Sequence, residues 1–97
     1  MNNSHYDVER MKSCASRMED ALRKYREAEK SLNETVSHLS SAWDDDTFRR
    51  YTGIYNSSVR EEIKEAGDAL AKYAQLMRAA AKKYGNAIDS GNAHLRV

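Results

Sequence analysis

The sequence predicts an all-α fold: an antiparallel two-helix hairpin that dimerises into a four-helix bundle. Three observations carry this expectation. The 97 residues include no proline and four glycines, while the strong helix formers Ala, Glu, Lys, Arg and Leu are plentiful. Apolar side chains recur at alternating steps of three and four, the spacing of one helix face, and never keep the period of two that a strand needs. A single cluster of turn-forming residues interrupts that pattern near the middle of the chain.

The first helix is expected over about residues 5–40. Its apolar stripe reads Val8, Met11, Ala15, Met18, Leu22, Tyr25, then Leu32, Val36, Leu39 and Trp43, with Glu29 as the one interruption. A mean step of 3.5 places these side chains on a slowly winding line. Ser4 or Asp7 is the expected N-cap, accepting from a backbone N–H left without an intrahelical partner. The turn is expected at about 41–45, within Ser40-Ser41-Ala42-Trp43-Asp44-Asp45-Asp46. Serine and aspartate bond their own neighbouring backbone and so favour turns and caps over helix interiors. Three carboxylates also suit the positive end of the next helix dipole.

The second helix is expected over about 46–88. It opens with Phe48, Tyr51 and Tyr55, steps by four through Val59 to Ile63, and continues through Ala66, Leu70, Tyr73, Met77, Ala80, Tyr84 and Ala87. Two successive steps of four form a stutter, which locally straightens a supercoil. Gly53 and Gly67 each cost up to about 1 kcal/mol relative to alanine; either they allow a close approach by a neighbouring helix or they are merely tolerated. Gly85-Asn86 reads as a C-cap signal and 89–97 as a flexible tail. A hairpin of this kind is one thin layer with little core. Ile54, Leu76, Ile88 and several alanines widen the apolar arc of the second helix. A second hairpin, a copy of this chain or a related one, would cover that arc.

Charge and chemistry exclude several functions. Sixteen basic and fifteen acidic residues are interleaved for a net charge of +1, unlike a nucleic-acid clamp or a polybasic membrane anchor. No apolar run reaches the roughly 18–20 residues of a membrane span. The N-terminus has neither the basic nor the apolar region of a cleavable signal peptide. His5, His38 and His94 lie far apart, and three adjacent aspartates diverge at a helix start, so no metal site is expected. Cys14 is expected to be a small, partly buried apolar residue without an activating base. The tyrosines fall mostly on the stripe, where they pack their rings and hydroxyls reach solvent. No catalytic residue and no cofactor are expected.

The stretch Ala42-Trp43-Asp44-Asp45-Asp46-Thr47-Phe48, set in the turn of a hairpin of about 100 residues, resembles the Trp-X-Gly, or early-secreted-antigen-like, family of type VII secretion proteins. The resemblance spans nearly the whole chain in architecture. It implies that Trp43 seals the end of the hairpin, that Phe48 packs beneath the turn, and that Asp45 stands at the family's glycine position. It further implies a small helical protein, a secreted substrate or a targeting factor. Such a protein acts by dimerising with a related hairpin or with a larger toxin cargo, and it is recognised by the export ATPase. Leu22, Leu32, Leu39, Leu70, Tyr73 and Met77 are the expected seam and interface residues. The family's C-terminal Tyr-X-X-X-Asp/Glu export signal is degenerate, because Tyr84 is followed four places on by Ile88, with Asp89 one place late. A partner's signal would then serve for export, or the chain would stay in the cytoplasm as a targeting chaperone. The alternative is a cytosolic helical-hairpin adaptor unconnected with secretion.

Overall fold

The computed structural model describes residues 4–95 except Asp44, with the backbone alone for Ser4 and residues 90–95. Helix α1 spans Ser4–Ala42. After the turn come α2, Asp46–Ile54, a π-helical turn at Tyr55–Val59, and α3, Arg60–Leu95. The last three run on without interruption as the second arm of an antiparallel hairpin, and the described residues contain no strand. The molecule is a rod of 76 × 18 × 17 Å.

Both arms are longer than the sequence pattern predicts. Asp7 lies inside α1 and so is not its N-cap; Ser4 is the first described residue of the helix. Nor does Gly85-Asn86 stop α3, which continues through the first seven residues of the expected tail to Leu95. A C-cap needs a residue in the left-handed region, and no described glycine or other residue has a positive φ. Val97 and Arg96 lie outside the described residues.

On α1 the seam follows the predicted stripe over its first half. Val8 and Ala15 are buried, and Met11, Met18, Leu22 and Tyr25 are half-buried. Beyond Tyr25 the seam passes through Glu29, Asn33, Val36 and Ser40, so Leu32 and Leu39 stand outside it. Polar residues enter because each finds a partner. The Tyr55 hydroxyl donates to Asn33 Oδ1 at 2.6 Å, and the Ser40 hydroxyl donates to the Val36 carbonyl at 2.8 Å. Glu29 pairs with Arg26 at 3.4 Å.

On α3 the packed line is Ile63, Gly67, Ala71, Ala74, Arg78, Ala81, Gly85 and Ile88. From Gly67 to Ile88, each lies one residue after a member of the predicted stripe. Small side chains therefore face α1, and the helices approach closely. The Tyr25 ring fills the space over Gly67, where an added Cβ would sit 2.9 Å from Tyr25 Cε1 and 2.9 Å from Arg26 Nη1. Tyr25 is fixed there by its hydroxyl, which donates to the Ile63 carbonyl at 2.6 Å. Gly53, by contrast, has nothing within 4 Å of such a Cβ.

The stutter coincides with the π-turn. The Arg60 N–H bonds to the Tyr55 carbonyl, five residues back instead of four. At the change of ladder, the Ser58 hydroxyl donates to the Ile54 carbonyl at 3.1 Å and the Ser57 hydroxyl to the same oxygen at 3.4 Å.

Candidate interaction site

Two features stand out as surfaces for recognition: the turn and one broad face of the rod. At the turn, Asp45 has an extended backbone, φ −122° and ψ 165°, and caps α2. Its Oδ1 accepts from the Phe48 N–H at 2.7 Å, and its Oδ2 accepts from the Trp43 indole N–H at 2.7 Å. The Trp43 ring stacks on Phe48 with centroids 5.8 Å apart and planes 10° from parallel. One carboxylate thus ties the helix start to the tryptophan. Both hydrogen bonds favour the charged form and hold the Asp45 carboxyl below the usual carboxylate range, the Phe48 N–H most strongly. Asp46 pairs with Arg49 one turn on. Asp44, the middle of the acidic run, lies outside the described residues. No group of three or more His, Cys, Asp or Glu able to hold a metal occurs among the described residues.

Trp43 is expected as the last knob of the α1 stripe. It instead lies beyond the end of α1 and is 59% exposed, lying flat on Phe48 at the tip of the rod.

The two broad faces of the hairpin differ in chemistry. One is polar and cross-linked by ions: Arg78 bonds Glu19 at 2.6 Å and Ser16 at 2.9 Å, and Arg26 bonds Asp68 at 2.9 Å. The Arg78 hydrogen bond lowers the Glu19 carboxyl below its ordinary value. The opposite face is apolar. At the open end, Met11, Cys14, Met77, Tyr84 and Ile88 line a groove beside the seam. At the turn end Leu39, Phe48, Tyr51 and Tyr55 line another. Leu32, seven residues before Leu39, and Leu70 and Tyr73, seven and four before Met77, fall on this same face by helical repeat.

The expected seam and interface residues therefore divide. Leu22 and Met77 lie at the packed line, half-buried. Leu32, Leu39, Leu70 and Tyr73 are exposed on the apolar face, joined by Leu76 and Tyr84. Cys14, expected to be partly buried, is exposed there too, while its neighbour Ala15 takes the buried position. Tyr84 and Asp89 face apart, since Tyr84 lines the apolar groove and Asp89 lines the polar one with Lys12 and Arg78. Gly67 was the legible signal for close packing. Nothing in the residue pattern marked Asn33 or Arg78 as members of the seam.

A family model described as proteins of 100 residues with WXG matches residues 4–87. That span takes in both arms, the turn and most of the apolar face. The chain belongs to the WXG100 family. WXG100 proteins are small helical proteins associated with type VII secretion; they are not known enzymes, and they usually pair with related proteins. No curated protein and no solved structure matches this chain. It departs from the WXG tripeptide at Asp45, where extended backbone makes glycine's left-handed freedom unnecessary. No helix is long and apolar enough to cross a membrane among the described residues.

Proposed function

We propose that this WXG100 protein works by laying its apolar face against a second helical hairpin, as a secreted substrate or targeting factor of a type VII system. The supporting observation is the imbalance between core and surface. Among the described residues the buried hydrophobic ones are Val8, Ala15, Ala74 and Ala81, three of them alanines. The large ones, Leu32, Leu39, Leu70, Tyr73, Leu76 and Tyr84, remain between 37% and 59% exposed. Burying a side chain of that size contributes about 1.5–3 kcal/mol, and a contiguous face of them marks a contact surface. The occupant is a hairpin of the same length with the same kind of face, either a second copy or a related chain. The helical end of a larger cargo offers the same chemistry. Trp43, exposed over Phe48 at the end of that face, is the recognition point for the export ATPase.

The test joins association with transport. Sedimentation of the purified chain over a range of concentrations is expected to show a dimer, and pull-down from its host is expected to yield a related hairpin or a helical cargo domain. Tagged protein should appear in the medium and vanish from it when the type VII ATPase is removed. A chain that stays monomeric, captures no such partner and remains in the cell under both conditions would be a cytosolic adaptor instead.

A further inference from the structure

The second arm carries two parallel stripes, and the π-turn decides which one meets α1. An α-helix advances about 100° per residue. On α2 and at the first residue of the π-turn the packed residues are Phe48, Thr52 and Tyr55; on α3 they include Gly67, Ala74 and Ala81. These two sets fall on one line of a continuous α-helix only when about one residue is removed between them. Continuing the α2 line without that correction leads to Ala66, Leu70, Tyr73, Met77, Ala80 and Tyr84, the bulky stripe. The structure holds the extra residue at Tyr55–Val59, where the ladder steps by five.

We propose that this π-turn is a register device: it absorbs one surplus residue, so that the small stripe packs on α1 and the bulky apolar stripe is presented outward, whereas the same residues wound as ordinary α-helix would turn the bulky stripe onto α1. The geometry around it supports a selected feature. Tyr55 enters the turn with its hydroxyl on Asn33 at 2.6 Å, fixing the α2 side of the register. Tyr25 occupies the space above Gly67 and bonds the Ile63 carbonyl, fixing the α3 side. Between these two locks, Ser57 and Ser58 supply hydroxyls to the Ile54 carbonyl where the ladder changes. Partner choice is thereby coupled to the backbone of a five-residue segment. The register itself stands on this geometry alone, and only its consequence for pairing rests on the function proposed above.

Thiol accessibility tests it. In a Cys14→Ser background, which removes the exposed native thiol, Ala80→Cys and Ala81→Cys are compared in dilute, monomeric protein. Ala81 is 1% exposed and Ala80 is exposed, so the thiol at 81 is expected to be labelled about tenfold or more slowly than that at 80. The same pair is then made in a chain lacking Ser58, where no surplus residue remains to be absorbed, the second arm winds as one α-helix with the same line on α1, and the order is expected to persist. Either of two results overturns the proposal: faster labelling at 81 than at 80 in the full-length chain, or an inverted order in a helical chain lacking Ser58. The parent comparison needs no deletion and so remains decisive if the shortened chain folds poorly. Sedimentation separates the two readings. Slower labelling at 81 than at 80 with and without Ser58, in chains that never associate, upholds the register device and removes the pairing function.

Discussion

At the residue scale, Asp45 is the most informative position. Its carboxylate caps α2 through the Phe48 N–H and holds the Trp43 indole, two roles carried by one side chain. Asp45→Ala removes both and is expected to lower the unfolding midpoint. Asp45→Gly, which creates the family tripeptide, should cost less, and Asp45→Asn least, because asparagine caps nearly as well. Urea unfolding followed by circular dichroism ranks the three. The charge adds a pH signature. The Asp45 carboxyl is depressed in the folded chain, so its stabilisation is complete above the unfolded value of about 3.9 and is lost as pH falls through the lower, folded value. Glu19, held low by Arg78, has the same sign, and so does Asp20, held low chiefly by Arg23. The advantage of the parent over Asp45→Asn should therefore shrink on acidification below about pH 4; a constant difference would show that the charge contributes nothing. Trp43→Ala is expected to cost only about 1 kcal/mol, the worth of one stacked aromatic pair, since the ring is more exposed than buried.

At the scale of elements, two glycines make opposite predictions. Alanine improves intrinsic helix propensity by up to about 1 kcal/mol at either site. At Gly53 nothing opposes that gain, and Gly53→Ala should stabilise the chain. At Gly67 the new methyl meets the Tyr25 ring, which its hydrogen bond to Ile63 prevents from swinging away, so Gly67→Ala should destabilise despite the better propensity. Thermal unfolding of the two variants checks the signs. The elements also show what the sequence could and could not convey. Periodicity located both helices and the serine–aspartate cluster located the turn, because local backbone preferences govern both. The seam of α1 was legible from Val8 to Tyr25. On α3 the packed stripe was misplaced by one residue, since period alone does not say which of two adjacent apolar stripes faces inward. The steps of four through Tyr55, Val59 and Ile63 signalled a change of phase, but neither its π form nor its direction. Asn33 and Arg78 escaped notice because they enter the seam through partners on the opposite arm, which no local pattern encodes.

At the scale of the whole molecule, the proposed pairing would rest on the apolar face, and its test is substitution there without disturbing the seam. Tyr73→Glu and Leu76→Glu place a carboxylate among apolar side chains. Each is expected to weaken association about ten- to a hundredfold while leaving the helical content of the monomer intact. The parent's thermal midpoint should rise with protein concentration, as it does for any fold stabilised by self-association or by an added partner, and these variants should lose that dependence. The turn was legible as a motif and the face as a surplus of apolar residues. What joins them is the π-turn, a backbone feature.

The dimensions of the rod carry one more consequence. A compact globule of about 100 residues has a radius of gyration near 13 Å and a diameter of about 32 Å, whereas this chain has a radius of gyration of 21.6 Å and, between Cα atoms, a waist of only 18 × 17 Å. Presented end-on with Trp43 leading, the folded hairpin clears an aperture that would stop a globule of equal mass. A paired bundle roughly doubles one of those two short dimensions. On the substrate reading proposed above, the bore of the conduit, as much as the strength of the pair, would decide whether the chain crosses singly or paired.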